Sequence, residues 1–108
     1  MKRSYRIEKF EDVAVFRERM KNFDPNTIEC TEHTFFRLSE GQRKIFRCDD
    51  LKSVLLNDIP LRIGIQYDRK YAIYYNYQGR VLKMLLSLSP NKIRIVTFWL
   101  INRNQLPG

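Results

Sequence analysis

Between Leu61 and Ile101 the chain alternates four times between a run of β-branched and aromatic residues and a short turn signal. The runs are Leu61–Tyr67, Tyr71–Tyr77, Arg80–Leu88 and Lys92–Ile101, and the breaks fall at 68–70, Gln78-Gly79 and Pro90-Asn91. Runs of this length and composition read as strands, and breaks this short join antiparallel neighbours, so the pattern predicts a four-stranded antiparallel meander. Register follows from the turns. A two-residue loop at Gln78-Gly79 sets Tyr75 opposite Leu82, Ile73 opposite Met84 and Tyr71 opposite Leu86. A tip at Pro90-Asn91 sets Leu88 opposite Ile93, Leu86 opposite Ile95, Met84 opposite Thr97 and Leu82 opposite Trp99. Both hairpins then choose the same apolar face, an agreement that a slip of one residue would destroy. The opposite face would be wet and would hold Tyr74, Lys83, Ser87, Arg94 and Phe98.

Before the meander the patterning is helical. Phe10, Val13, Phe16, Met20 and Phe23 recur at spacings of three and four, which predicts an amphipathic helix from about Lys9 to Asn22. Tyr5–Ile7 could enter it as a short strand, Asp24-Pro25-Asn26 stops it, and Thr27–Cys30 reads as an extended link. Thr31 suits the N-cap of a second helix that ends near Gly41, and Asp50–Asn57 makes a third, opened by Asp49-Asp50 and closed by Pro60. Helices followed by a meander give an α+β fold, with the N-terminal helices packed on one sheet face as a single domain over 1–108.

Charge is distributed unevenly. Residues 1–60 carry 12 basic and 11 acidic side chains; residues 61–108 carry eight basic side chains against Asp68 alone, so nearly all of the net +8 sits on the sheet half. That asymmetry points to a polyanion, most simply nucleic acid. The competing explanation is that Lys and Arg keep open sheet edges from pairing with other chains. Cys30 and Cys48 match no metal-ligand spacing and no disulfide framework, and are expected as buried thiols in a reducing compartment. No apolar run reaches the roughly 18 residues of a membrane span, and the charged N-terminus does not resemble a signal segment, so a cytoplasmic protein without membrane contact is expected.

Two constellations could carry chemistry. His33-x-x-x-Arg37 places the chain's single histidine one helical turn from an arginine, a proton carrier beside a phosphate-binding fork. A lone histidine on a short helix is more often a surface or core residue, so spacing alone argues little. The second constellation is the wet sheet face, where Lys83, Arg94 and Tyr74 could meet phosphate oxygens and Phe98 could stack a base. Tyrosines in a small sheet usually pack, but Lys83 interrupts the apolar run Val81–Leu86 and needs a reason.

Thr31–Arg37, the basic Arg43-Lys44-Ile45, the Leu51–Leu56 helix and Lys92-Ile-Arg-Ile-Val-Thr-Phe-Trp99 together resemble the BrnT-like toxins within the RelE-like ribonuclease group. The likeness covers residues 31–101. It implies a RelE-like fold and the ribonuclease toxin of a type II toxin–antitoxin pair, a metal-independent endoribonuclease without cofactor. Its implied partners are RNA and a small acidic antitoxin protein, with self-association left open. By position it implies His33, Arg37, Arg43, Lys83 and Thr97 as functional residues. In the reaction it implies, His33, Arg37 and Lys83 would be catalytic, and Tyr74 of the wet face, outside the matched positions, offers a second proton donor. Arg43, Lys44, Arg94, Phe98 and Thr97 would bind nucleic acid. The chain departs from the pattern in the long gap between Arg37 and Arg43, and its register puts Thr97 on the buried face. A non-catalytic RNA- or DNA-binding module is the alternative reading.

Overall fold

A computed structural model of the chain describes residues 6–30 and 47–107. They form an α+β fold built on one six-stranded mixed sheet, ordered β1-β3-β4-β5-β6-β2. The strands are β1 (Ile7–Phe10), β2 (Ile28–Cys30), β3 (Arg62–Gln66), β4 (Tyr71–Tyr77), β5 (Arg80–Ser89) and β6 (Lys92–Ile101), with helices α1 (Val13–Met20) and α2 (Cys48–Asn57). The expected meander is therefore the interior of a wider sheet. β1 adds antiparallel to β3, and β2 adds parallel to β6 through Ile28–Ile93 and Cys30–Ile95.

The four long strands follow their turns. Gln78 and Gly79 have φ of 47° and 81°, the left-handed pair that a tight hairpin matching the strand twist requires. The β4–β5 register runs as expected from Tyr71–Leu86 to Tyr77–Arg80. At the sheet edge, Gly64 of β3 lies so close under Ile7 that a Cβ there would meet the Ile7 side chain at 2.7 Å. The absent side chain is what lets β1 seat its isoleucine across β3.

The core lies between the helices and one sheet face. Phe16 and Met20 of α1 and Leu51 and Leu55 of α2 are buried with Ile63, Ile73, Tyr75, Leu82, Met84, Leu86, Ile93 and Ile95. Of the helix-facing set expected from the hairpins, Ile73, Tyr75, Leu82, Met84, Leu86, Ile93 and Ile95 are buried and Tyr71 and Leu88 lie at the margin, whereas Thr97 and Trp99 do not join it. Helix α1 begins later than the apolar spacing suggests. Asp12 caps it by accepting from the Val15 amide at 3.1 Å, and Phe10 belongs instead to β1 and is exposed. Asp49 and Asp50 occupy the first turn of α2, and the Asp50 carboxylate accepts from the Arg47 amide at 2.8 Å. Acidic groups there favour the positive end of the helix.

Two expectations are overturned. Thr27–Cys30 is not a bare link: its last three residues form the parallel edge strand β2. The cysteines are not free thiols, because Cys30 and Cys48 form a disulfide with Cα atoms 6.0 Å apart, joining the end of β2 to the first turn of α2. The expected helix from Thr31 to Gly41 lies outside the described residues. No helix among the described residues is long and apolar enough to cross a membrane.

Candidate nucleic-acid interface

The β5–β6 hairpin starts in the expected register, Leu88–Ile93 and Leu86–Ile95, and then changes. Leu85 pairs with Thr97, so Val96 is an extra residue, a β-bulge. Beyond it every side chain of β6 exchanges faces relative to the regular register. Phe98, expected on the wet face, turns to the helices opposite Met84 and is 1% exposed. Thr97 and Trp99, expected inside, turn to the face away from α1 and α2, which carries no α-helix among the described residues (the helix-free face), opposite Leu85 and Lys83. The physical cause of the misreading is that Ile95–Ile101 is apolar at nearly every position, so both registers bury hydrophobic groups.

With that exchange made, the helix-free face carries an ordered row. Cross-strand neighbours run Trp99 on β6, Lys83 on β5, Tyr74 on β4 and Arg62 on β3. The Lys83 ammonium lies 4.8 Å from the Trp99 ring centroid and 5.5 Å from that of Tyr74. The Arg62 guanidinium lies 4.6 Å from the Phe10 ring of β1 and donates to the Pro107 carbonyl at 3.2 Å. Aromatic and cationic side chains therefore alternate across five strands. Ring faces attract cations, but each exposed pair contributes only about 0.5–1 kcal/mol.

The face is less wet than its charge suggested. Ala72, Tyr74, Val81, Leu85 and Ile101 form a second buried cluster, and Ile7, Leu61, Val96, Trp99 and Leu106 pack on it. The C-terminal turn contributes to this cover, with Arg103 donating to the Asn76 side chain at 2.6 Å. Tyr74 is 2% exposed, and burial raises its hydroxyl pKa above the ordinary tyrosine value. Lys83 is half-buried, and burial lowers its ammonium pKa. Among the described residues no carboxylate or other acceptor pairs with Lys83; its charge is met by ring faces alone. Lys83 is thus a partly desolvated cation that no anion among the described residues meets.

The remaining site residues separate. Arg94 lies on the same face nearer the β5–β6 turn, opposite Ser87. Its Nε donates to the Glu29 carboxylate at 3.0 Å, and Lys92 lies 3.6 Å from the same carboxylate. That bond, followed by the charge of Lys92, holds Glu29 below the ordinary carboxylate range. His33, Arg37, Arg43 and Lys44 lie outside the described residues. The structure thus unites Tyr74, Lys83 and Thr97 on one face, adds Arg94 at its end, and sends Phe98 into the core. Trp99 is the residue that the sequence reading missed; only the bulge, which has no signature in β6, could have revealed it.

Two hollows lie away from this face. One of about 250 Å³ sits by α1 and the C-terminal end of α2, lined by residues such as Arg17, Met20, Leu55 and Asp58. Another of about 390 Å³ lies beside Arg19, Tyr71 and Pro90. Neither is lined by a candidate site residue. Among the described residues no cluster of three or more His, Cys, Asp or Glu side chains could hold a metal ion. Comparison with family models, with curated proteins and with solved structures finds no match to this chain.

Proposed function

We propose that this protein is a metal-independent endoribonuclease, the toxin of a type II toxin–antitoxin pair, and that RNA binds along its helix-free sheet face. The carrying observation is Lys83: a half-buried ammonium between two rings, without an anion among the described residues, in the half of the chain that holds a net +7 from eight basic residues and Asp68. The likeness of residues 31–101 to the BrnT-like toxins supplies the reaction type.

In such a reaction a general base takes the proton of a ribose 2′-OH, whose oxygen attacks the adjacent phosphorus. The bond from phosphorus to the 5′-oxygen breaks, an acid protonates that oxygen, and the products are a 2′,3′-cyclic phosphate and a free 5′-OH. His33 is the proton carrier, and Arg37 and Lys83 stabilise the charge that gathers on the phosphate. Tyr74, protonated at neutral pH as any tyrosine is, is the second donor; burial raises its pKa and makes it a weaker acid than a solvated tyrosine. Thr97, Arg43, Lys44 and Arg94 hold flanking phosphates, Arg94 by exchanging its bond to Glu29. No cofactor enters the reaction. A small acidic antitoxin would neutralise the protein by covering the same cations.

The test is incubation of purified protein with bulk single-stranded RNA in EDTA. Fragments ending in cyclic phosphate are expected, with cleavage lost in His33→Ala and in Lys83→Ala. The non-catalytic reading is favoured by the buried state of Tyr74, which removes one proton donor from the open surface. It predicts salt-sensitive RNA binding by the wild type and intact RNA after prolonged incubation.

A further inference from the structure

Trp99 is the only tryptophan in the chain. It sits directly across from Lys83, partly exposed on the helix-free face. Its row-mate Tyr74 is buried, so that ring is a wall behind the ammonium and offers little surface to a ligand. Trp99 offers both a ring and access. Val96 and Thr97 flank it on the same face because of the bulge, so apolar and hydroxyl surface borders the ring.

We propose that Trp99 stacks an unpaired nucleobase while the Lys83 ammonium binds the phosphate of the same or the next nucleotide, making the ligand single-stranded nucleic acid. A nucleotide joins a flat ring and an anion through one sugar. Trp99 and Lys83 present a ring and a cation from adjacent strands, with the ammonium 4.8 Å from the ring centroid, which matches that unit. A duplex fits poorly, because its base faces are already covered by neighbouring pairs and cannot stack on the indole. A base-free polyanion or an acidic protein would satisfy Lys83 and leave the indole without a partner. Stacking on an indole tolerates any base, since every base has a π face, so weak sequence preference is expected. This inference rests on the RNA reading above and adds to it the strandedness of the substrate and the residue that senses it.

The single tryptophan makes the test direct. The intact protein is titrated at fixed salt with a short single-stranded oligoadenylate whose riboses are 2′-O-methylated and cannot be cleaved, with the same strand in a duplex, and with heparin. The single strand should quench the indole fluorescence and bind more tightly than the duplex. Trp99→Ala and Trp99→Leu, the second keeping apolar bulk for a variant that must fold, should both weaken single-strand binding, read from the anisotropy of an end-labelled strand, by about tenfold or more. Both should leave heparin binding, read from its displacement of that strand, within about twofold, and Trp99→Phe should retain most single-strand affinity. Unchanged single-strand affinity in Trp99→Leu, or an equal loss for single strand and heparin, would overturn the stacking role while leaving RNA binding standing. Binding of heparin with no binding of either nucleic acid would instead remove the RNA reading, and the stacking role with it.

Discussion

Replacing Phe98 by alanine tests the bulge on which the composition of the helix-free face depends. Phe98 is 1% exposed and belongs to the core shared by α1, α2 and the sheet. Truncating a phenylalanine in such a site removes its transfer free energy and leaves a cavity that the neighbours only partly fill, a loss of about 3–5 kcal/mol. Domains of this size are stable by about 5–15 kcal/mol, so the variant should lose roughly a fifth of its stability or more. At roughly 4 °C per kcal/mol the melting temperature should fall by about 12–20 °C. Urea unfolding followed by far-UV circular dichroism gives the stability change, and Trp99→Ala in the same assay is the control. A partly exposed indole on a solvated face should cost less than Phe98, under about 2 kcal/mol. A regular hairpin makes the opposite forecast: Trp99 becomes the core residue, and Phe98→Ala is nearly neutral to folding and harms ligand binding instead. If Phe98→Ala unfolds within about 1 kcal/mol of wild type while Trp99→Ala takes the large loss, the bulge is wrong. The row of Trp99, Lys83 and Tyr74 is then wrong with it.

Three further perturbations have defined outcomes. Reducing the Cys30–Cys48 disulfide, whose partners are 18 residues apart, frees the unfolded chain and should cost about 3 kcal/mol; the urea midpoint should fall by about 1–3 M, and an unmoved midpoint would contradict a structural bond. Because burial depresses the Lys83 pKa below its ordinary 10.5, the unfolded state binds more protons than the folded state in the window between the two values. Stability should therefore rise with pH up to about 10.5, and Lys83→Met should flatten that rise; an unaltered slope would show that Lys83 is fully solvated. Lys83→Ala and Arg94→Ala should each weaken RNA binding and shallow its salt dependence, with the smaller effect at Arg94 because Glu29 already competes for it; equal affinity and slope in both would place the footprint elsewhere.

What could be read from sequence was set by how local the deciding interaction is. The β4–β5 hairpin was legible to the residue because Gln78-Gly79 fixes the turn and the turn fixes the pairs. β6 was legible only as far as Ile95. Beyond it, the run Val96–Ile101 presents hydrophobic side chains to both faces, and a bulge leaves no mark when either face accepts either set. β1 and β2 are four and three residues long and sit at the sheet edges, and β2 owes its existence to a parallel partner far along the chain. Neither shows the alternation that signals a strand. The disulfide was equally illegible, since a separation of 18 residues says nothing about two sulfurs until β2 and α2 are docked. Of the site, the residue types on β4 and β5 were legible, while the exchange of Phe98 for Trp99 was not.

The place of Lys83 in the sheet bears on the two explanations of the basic charge. Cations that protect against edge-to-edge pairing belong on edge strands, where the backbone is open. Here the edges are β1 and β2, and β5 is interior, with its backbone paired to β4 on one side and β6 on the other. Lys83 has no open edge to guard. Arg94, on the strand next to the β2 edge, fits the protective explanation better, since it is exposed and clasped to Glu29 of β2. Nor does Lys83 gain enough from its neighbours to account for its position, because two ring contacts return about 1–2 kcal/mol against a burial that already depresses its charge. An apolar side chain at this point would complete the cluster of Ala72, Tyr74, Val81, Leu85 and Ile101 without that cost. The charge therefore stands at an interior position where stability argues against it, which is the pattern expected of a group kept for an incoming anion.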